Sequence, residues 1–259
     1  MRVFFLLFFL VCGCSQKNET TPIREDQSPA EIRNAQEVRT ANFEALVGRG
    51  VVEFRWEDED GKHREQGELD FWKQGSAISL RVSKLGELIL WFGGDETTHW
   101  LFDMLGEETT LTIDGDDAMF SDISTALVLL GFAPLPPGEL QVRNGVVTLQ
   151  DSVGNQWTAT FDPATNRPLE MEVCSGNNYS KALHRTGIQV EIDNTHELYW
   201  PETGGLMDFE DTRDSTEVKI AFSFLSTLVE DEPMDRVLDL AYLRTALQPS
   251  TTYGPVKDD

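Results

Sequence analysis

Histidine is the side chain best suited to metal binding and proton transfer near neutral pH, and this chain has few of them. The four histidines are His63, His99, His184 and His196. They are widely separated, and none stands beside a second ligand at a spacing that zinc sites use. Because His63 and His196 lie beside turns, we predict that both are solvated surface residues. The histidines therefore predict no metal site.

An acidic cluster is the next candidate for metal chemistry. Asp114, Asp116 and Asp117 surround Gly115, which invites comparison with a calcium-binding loop. Such a loop requires ordered acidic positions, a central glycine and a closing bidentate glutamate, and this segment lacks that order. We therefore predict that the chain binds no metal.

Nucleophilic catalysis would require an activated serine or cysteine. Cys174 is predicted to share a strand face with Glu170 and Glu172, and neighbouring carboxylates disfavour the thiolate that a nucleophile needs. The chain contains no Gly-X-Ser-X-Gly elbow, phosphate-binding loop or dinucleotide fingerprint. Paired carboxylates occur throughout so acidic a chain, so they do not single out a glycosidase. The sequence indicates that the protein is not an enzyme and holds no cofactor.

The N-terminal residues indicate a secretory signal. Arg2 is followed by an apolar run over residues 3–11 and then by the small segment Cys12-Gly13-Cys14. The apolar run is roughly half of the ~20 residues that a membrane-spanning helix needs. We therefore expect that it is removed and does not remain as an anchor.

Residues 11–14 resemble the bacterial lipobox, in which cleavage precedes a cysteine that receives diacylglycerol. The resemblance implies a lipoprotein signal peptide over residues 1–13 and a lipid on Cys14 that holds the protein to a membrane. Residues 14–27 are polar and aperiodic, which is typical of a flexible tether. An ordinary signal peptide that is cut at a nearby position is the alternative.

The formal net charge of the chain is −24. So acidic a protein is repelled by nucleic acid, and we exclude a nucleic-acid partner. If Cys12 leaves with the signal and Cys14 is lipidated, Cys174 is alone and no internal disulfide can form. The fold must then be held by a hydrophobic core, and we expect a monomer.

Most of the chain after residue 45 alternates between apolar and polar residues, which is the period of a β-strand with one covered face. Turn dipeptides such as Asn144-Gly145 separate these segments at hairpin spacing. The run over residues 88–92 is apolar at every position, which predicts a strand covered on both faces. About ten or more such strands must form a sheet that curls or splits.

Helical patterns interrupt the strands. Ser28-Pro29-Ala30-Glu31 is a helix-start signal, which predicts a helix over residues 29–45. Residues 122–132 are nearly all apolar and are followed by prolines, which predicts a helix buried on most sides. A short helix is predicted over residues 239–247.

Together these elements predict a mainly β fold, namely a curved antiparallel half-barrel with a helical lid and an N-terminal helix. The apolar helix would fill the concave face of the sheet. We expect a single domain over residues 28–249, followed by a polar tail over residues 250–259. A sandwich of two sheets is the alternative.

The order of several short motifs resembles the LolA/LolB-like family of lipoprotein carriers and acceptors. The motifs are Gly48-Arg49-Gly50 with Phe54-Arg55-Trp56, Ser83-Lys84-Leu85-Gly86-Glu87-Leu88, Leu127 to Gly131 with Pro134-Leu135-Pro136, and Asp162 to Pro168. The resemblance covers residues 40–175 and, through the lipid anchor, is closer to the LolB-like side. It implies a half-open antiparallel barrel with a helical lid and an apolar interior that receives acyl chains.

The resemblance also implies a bacterial envelope lipoprotein that binds acyl chains or lipoprotein cargo and accepts or inserts lipoproteins at the outer membrane, facing the periplasm. In LolB-like proteins a leucine before a glycine in a protruding loop helps to receive the cargo, and Leu85 before Gly86 matches that position. The residues expected at the cavity and its lid are Val82, Leu85, Leu88, Trp91, Phe102, Leu127 and Leu130. The chain departs from the family in its length after residue 175 and in its acidity. A non-catalytic envelope scaffold with a filled core is therefore the alternative.

Overall fold

The computed structural model describes most of the chain after residue 27. The described residues are 28–58, 61–114, 123–162, 167–176, 178–186, 189–192, 195–198, 205–211, 216–228 and 231–254. The predicted signal peptide and tether, with Cys14, lie outside them. Among the described residues, no helix has the length and apolar character needed to cross a membrane.

The described residues form sixteen strands. In chain order they are β1 (Ala45–Asp58), β2 (Gly61–Gln74), β3 (Ala77–Lys84), β4 (Glu87–Gly94), β5 (His99–Asp103), β6 (Thr110–Ile113), β7 (Gln141–Arg143), β8 (Val146–Gln150), β9 (Gln156–Phe161), β10 (Pro168–Ser175), β11 (Asn178–Thr186), β12 (Gln189–Ile192), β13 (Thr195–Leu198), β14 (Gly205–Asp211), β15 (Thr216–Ser226) and β16 (Thr251–Tyr253). The helices are α1 (Pro29–Thr40), α2 (Ile123–Leu129), α3 (Asp231–Leu238) and α4 (Leu240–Leu247).

The strands belong to one sheet that does not close on itself. Its order is β16-β6-β5-β4-β3-β2-β1-β15-β14-β11-β10-β9-β8-β7, with the β12–β13 hairpin attached to β15. The described pairings are antiparallel except for β16 with β6 and β12 with β15. The prediction of a mainly β, antiparallel half-barrel is confirmed, and a single sheet takes the place of the alternative sandwich.

The sheet curves because side chains from both of its arms pack on a common core. Phe71 and Leu80 come from one arm, Trp157 and Met171 from the other, and all are buried in the same cluster as Leu127 of α2. A sheet of this length cannot stay flat while one face is apolar, because its twist accumulates strand by strand. The predicted filling of the concave face by an apolar helix is therefore confirmed.

A second, smaller core lies on the outer face of β4, β5 and β6. Trp91, Phe102 and Leu111 are buried there against Leu243 of α4. Alternation along β4 sends Leu90 and Phe92 to the inner core and Trp91 to the outer one, and the bulge opposite Val82 and Ser83 puts Leu88 on the same face as Trp91. The prediction that residues 88–92 are covered on both faces is confirmed, with α2 on the inside and α4 on the outside.

The N-terminal helix is shorter than predicted. Ser28 and Glu31 form the expected capping box, but α1 ends at Thr40 and a turn of 3₁₀ helix follows over Ala41–Phe43. The tightened turn directs the chain into β1, which starts at Ala45 and requires extended backbone. Helical periodicity alone did not reveal where that change of direction falls.

The apolar helix is also shorter than the predicted segment 122–132. α2 ends at Leu129, and Gly131 then adopts a left-handed conformation with φ of 74°. The amides of Phe132 and Ala133 both donate to the carbonyl of Leu127, which closes the helix in the manner of a glycine C-cap. The predicted cap at Ser121 or Asp122 lies outside the described residues.

The C-terminal part of the chain contains one element that was predicted and two that were not. The short helix predicted over residues 239–247 is α4, and Asp239 caps it by accepting hydrogen bonds from the amides of Ala241 and Tyr242. α3, immediately before it, was not predicted, and it lies against β2 and β3. The segment predicted as a polar tail contributes β16 to the edge of the sheet.

Candidate functional site

The concave face of the sheet is occupied by residues 123–135, which we call the plug. Its side chains are almost entirely removed from solvent; those buried are Ile123, Ala126, Leu127, Val128, Leu129, Leu130, Phe132 and Leu135. Phe132 lies at the centre, with ring centroids 5.4 Å from Phe71 and 6.1 Å from both Phe43 and Phe222. An apolar segment in an apolar trough is held mainly by the area it removes from water, which is a non-directional attraction.

One polar contact joins the plug to the sheet. Nε2 of His184, on β11, lies 2.8 Å from the carbonyl oxygen of Leu129. Because a carbonyl only accepts, Nε2 carries the proton and donates. Burial lowers the pKa of His184 to about 3, against the raising effect of this hydrogen bond, and the guanidiniums of Arg39 and Arg167 lower the pKa further. His184 is therefore neutral in the folded protein at neutral pH.

A second contact comes from the N-terminal helix. The guanidinium of Arg33 on α1 donates to the carbonyls of Leu135 and Pro136, each at 3.3 Å, and to that of Gly138 at 2.9 Å. Arginine can satisfy several acceptors at once because its donors form a rigid planar fork. Arg33 thus fixes the end of the plug to the helix that follows the predicted lipid tether.

The residues predicted to line the cavity are brought to different places. Val82, Leu127 and Leu130 lie together in the inner core. Trp91 and Phe102 are buried in the outer core, and the partly buried Leu88 packs against them there. The sheet therefore separates the predicted set, because successive residues of a strand point to opposite faces and the register puts Trp91 beside Phe102 on the outer one. Their role in ligand binding stays a prediction.

Leu85 lies apart from both cores, at the tip of the β3–β4 turn. Its side chain is 97% exposed and its φ is 55°, the left-handed region that usually favours glycine. Holding a non-glycine residue in that region costs about 1–2 kcal/mol. At Leu85 both the exposed apolar side chain and the left-handed backbone are therefore unfavourable for stability, and the side chain makes no packing contacts that would offset them.

Among the described residues, the polar candidates of the sequence form no group of three or more possible metal ligands. Nδ1 of His99 lies 3.5 Å from Asp114, at the side of a cavity of about 330 Å³. Asp116 and Asp117 lie outside the described residues, as does the side chain of His196. His63, which was predicted at the surface, is partly exposed, and its ring stacks on Trp56 with centroids 5.1 Å apart.

Cys174 shares a face of β10 with Glu170 and Glu172, as predicted. Its thiol is exposed, and Glu170 and Glu172 on the same strand instead form ion pairs with Lys181. The hydrogen bonds from Lys181 and Tyr179 lower the pKa of Glu172 in spite of its partial burial, which acts the other way. These carboxylates serve a cross-strand ion-pair network on the outer face of the sheet.

Two residues that hold the plug were missed by the sequence analysis. The alternation of β11 places His184 on the same face as the buried residues Ser180 and Ala182, and that pattern could have indicated an inward histidine. Arg33 carried no such signal, because its acceptors are backbone carbonyls more than a hundred residues away in sequence.

These features define a class of protein, in which an antiparallel sheet stays open and an apolar segment fills its concave face. No protein-family model matches the chain, and no curated protein matches it. Solved structures of low identity are similar to it. One, a LolA superfamily protein from Nitrosomonas europaea, is 11% identical with a TM-score of 0.49, and the match covers 84% of this chain and 100% of that one.

Two further solved structures are similar over comparable lengths. A putative outer membrane lipoprotein-sorting protein domain from Vibrio parahaemolyticus is 11% identical with a TM-score of 0.43, covering 79% of this chain and 95% of that one. A DUF1329 family protein from Desulfovibrio piger is 13% identical with a TM-score of 0.41, covering 88% and 99%.

Proposed function

We propose that this protein is an envelope lipoprotein, not an enzyme, that binds lipid or acyl chains in the trough now filled by the plug. The observation that carries the proposal is the plug itself, a mostly apolar segment held by burial and by the contacts from His184 and Arg33. An acyl chain offers the trough the same kind of surface. When one apolar occupant replaces another, the favourable free energy of about 25 cal/mol per Å² of covered apolar area is retained. The net free energy of the exchange is therefore close to zero.

A more specific proposal concerns the cellular location of the protein and the cargo that it binds. The lipid on Cys14 would hold a monomer at the outer membrane, facing the periplasm, where it would accept or insert lipoproteins. The tether over residues 14–27 would allow the domain to move over the membrane surface. Arg33 lies on the helix nearest to that tether and also holds the plug, so it would link membrane attachment to opening.

Truncation of the plug tests the exchange directly. Because the plug competes with acyl chains, Leu127→Ala should weaken the plugged state and raise the affinity for a fluorescent long-chain fatty acid about tenfold or more, since such truncations cost about 2–5 kcal/mol. Alanine keeps the helix intact because it is the best helix former. The measurement is probe titration of the chain with Cys14→Ser, purified without detergent.

Leu111→Ala is the matched control for that titration. Leu111 is as deeply buried as Leu127, but it lies in the outer core under α4. It should lose comparable stability without any gain in probe affinity. The carrier proposal would be contradicted if the two variants had the same probe affinity, or if neither bound the probe.

Leu85 is proposed to take part in delivery, as an apolar tip that meets the cargo or the membrane. Leu85→Gly should slow transfer of the bound probe to vesicles of zwitterionic phospholipid several-fold, while leaving the free energy of unfolding unchanged or raising it by about 0.5–1 kcal/mol. Val153→Gly is the control, because Val153 is also highly exposed in a hairpin turn. If both variants transfer the probe at the wild-type rate, Leu85 has no part in delivery.

A scaffold function is the second candidate, and the filled core favours it. The plug leaves little of the inner apolar face exposed, and a packed interior of this kind can be a purely structural element. A non-catalytic envelope scaffold would use its outer surface to meet a partner. The truncation experiment separates the two functions, because only a carrier gains probe affinity when the plug is shortened.

A further inference from the structure

Buried polar side chains collect at one end of the trough that the plug fills. Arg167 stands directly before β10, and His184 lies two residues before the end of β11. Because these strands are antiparallel neighbours, both residues belong to the same end of the sheet. Both side chains are buried, as is that of Gln36 near the end of α1. We call Gln36, Arg39, Arg167 and His184 the polar end of the trough.

Contacts within the protein hold the polar end in place. Nη2 of Arg39 donates a hydrogen bond to Oε1 of Gln36, and the hydroxyl of Thr40 donates to the carbonyl of Gln36 at 2.8 Å. Nε of Arg167 lies 3.9 Å from Oδ2 of Asp162, which is an ion pair beyond hydrogen-bond distance. Side chains that are already held lose little further freedom when a ligand binds to them.

Positive charge dominates around His184. Among the described residues, the charges that act on the pKa of His184 are the guanidiniums of Arg39 and Arg167, and both lower it. In the described part of the polar end, these two guanidiniums face the carboxylate of Asp162, whereas Glu37 on α1 is exposed. An anion at this end would be attracted by both guanidiniums, and burial strengthens that attraction because the local dielectric constant is low.

The carbonyl oxygen of Leu129 marks the position at which His184 requires an acceptor. While the plug is in place, this oxygen accepts from Nε2 at 2.8 Å. Displacement of the plug would leave a buried donor without its acceptor, which is unfavourable until another acceptor takes the position. The methyl end of an acyl chain cannot accept a hydrogen bond, but an oxygen atom of a head group can.

We propose that the trough binds an amphiphile with an anionic oxygen head group, a carboxylate or a phosphate, which occupies the polar end in place of the Leu129 carbonyl. The acyl chain of this ligand replaces the plug along the apolar part of the trough. The inference rests on the proposed lipid-binding function and adds to it the chemical class of the ligand. Hydrogen bonds between ionised partners are roughly twice as strong as neutral ones, so the head group should determine which lipids bind.

The test compares three probes that share one alkyl chain, namely tetradecanoate, tetradecyl phosphate and tetradecan-1-ol. Each is titrated into the Cys14→Ser chain below its micelle concentration, at a pH where the carboxylate is ionised. We expect at least one of the anionic probes to bind about ten- to a hundredfold more tightly than the alcohol, which is the effect of one charged hydrogen bond. The net charge of −24 acts against this preference, so general electrostatic attraction cannot produce it. The anion that binds more tightly identifies the head group.

Two arginine variants assign the preference to the polar end. Arg167→Gln and Arg39→Gln should each reduce the ratio of anion affinity to alcohol affinity several-fold. A variant that only loosens the plug changes both affinities alike and leaves their ratio unchanged. Arg39 is only half-buried, so its variant remains informative if Arg167→Gln does not fold. The control is Arg143→Gln, which removes an exposed guanidinium on β7 at the far edge of the sheet and should leave the ratio unchanged.

Failure of the function and failure of this inference give different results. If none of the probes binds, the lipid-binding function is contradicted, and this inference with it. If all three bind equally, or if the preference survives both arginine variants, only the anionic head group is overturned. Inorganic phosphate that binds as tightly as tetradecyl phosphate would also overturn it, because the site would then take a free anion.

Discussion

Phe132→Ala is expected to lower the free energy of unfolding by about 3–5 kcal/mol, which is the cost of removing a fully buried aromatic ring from a packed core. Phe132 is 1% exposed and contacts the rings of Phe43, Phe71 and Phe222. These rings come from three separate parts of the chain, so no local rearrangement can fill the void. A loss of that size is a large share of the roughly 5–15 kcal/mol by which domains are stable.

Urea unfolding of the Cys14→Ser chain measures this loss as a shift of the midpoint at constant slope. Phe132→Leu is the matched variant, because leucine keeps most of the apolar volume, and it should cost less than about 2 kcal/mol. A loss below about 1 kcal/mol for Phe132→Ala would contradict the packing described here, because it would place the ring in contact with water. If the void stays dry, the alanine variant should also bind small apolar probes such as benzene.

Acid is expected to weaken the fold through His184. Burial lowers the pKa of this histidine from its ordinary value of 6.5 to about 3, so the unfolded chain takes up the proton more readily than the folded one. The stability that this group contributes is complete above pH 6.5 and is lost as the pH falls toward 3. The slope in that window is about 1.4 kcal/mol per pH unit.

His184→Gln isolates this effect from the titration of the many carboxylates. The glutamine amide can donate to the carbonyl of Leu129, but it does not titrate. As the pH falls from 6.5 to 4.5, the unfolding free energy of the wild type should therefore decrease steadily relative to that of His184→Gln. A difference that is constant with pH would show that His184 is not buried as a neutral residue. Since His184 holds the plug, uptake of the fatty acid probe should rise over the same interval in the wild type alone.

The agreement between sequence and structure is closest where a pattern has only one physical outcome. Alternation over Val52, Phe54 and Trp56 can place only one set of side chains in the core, and the wholly apolar run over residues 88–92 requires cover on both faces. The capping box at Ser28 consists of local hydrogen bonds, so it too could be predicted from the sequence.

Agreement ends where the outcome depends on partners that are distant in the chain. The sequence placed Leu88, Trp91 and Phe102 with Leu127 as a single set, because all are apolar. The alternation of side chains across the sheet and the arrival of α4 from the end of the chain placed the three strand residues in the outer core, apart from Leu127 in the inner one. Likewise His184 looked isolated until the curvature of the sheet brought it to the carbonyl of Leu129.

Local patterns along the chain are enough to predict the class of fold, the strongly acidic character and an apolar segment that had to be buried somewhere. The tertiary structure was needed to show that this segment fills the concave face, that Arg33 and His184 hold it there, and that α4 covers a second core on the outer face. The reason is the range of the forces. Periodicity and capping are set by neighbours within a few residues, whereas the occupant of a concave face is chosen by the packing of strands that are far apart in the chain.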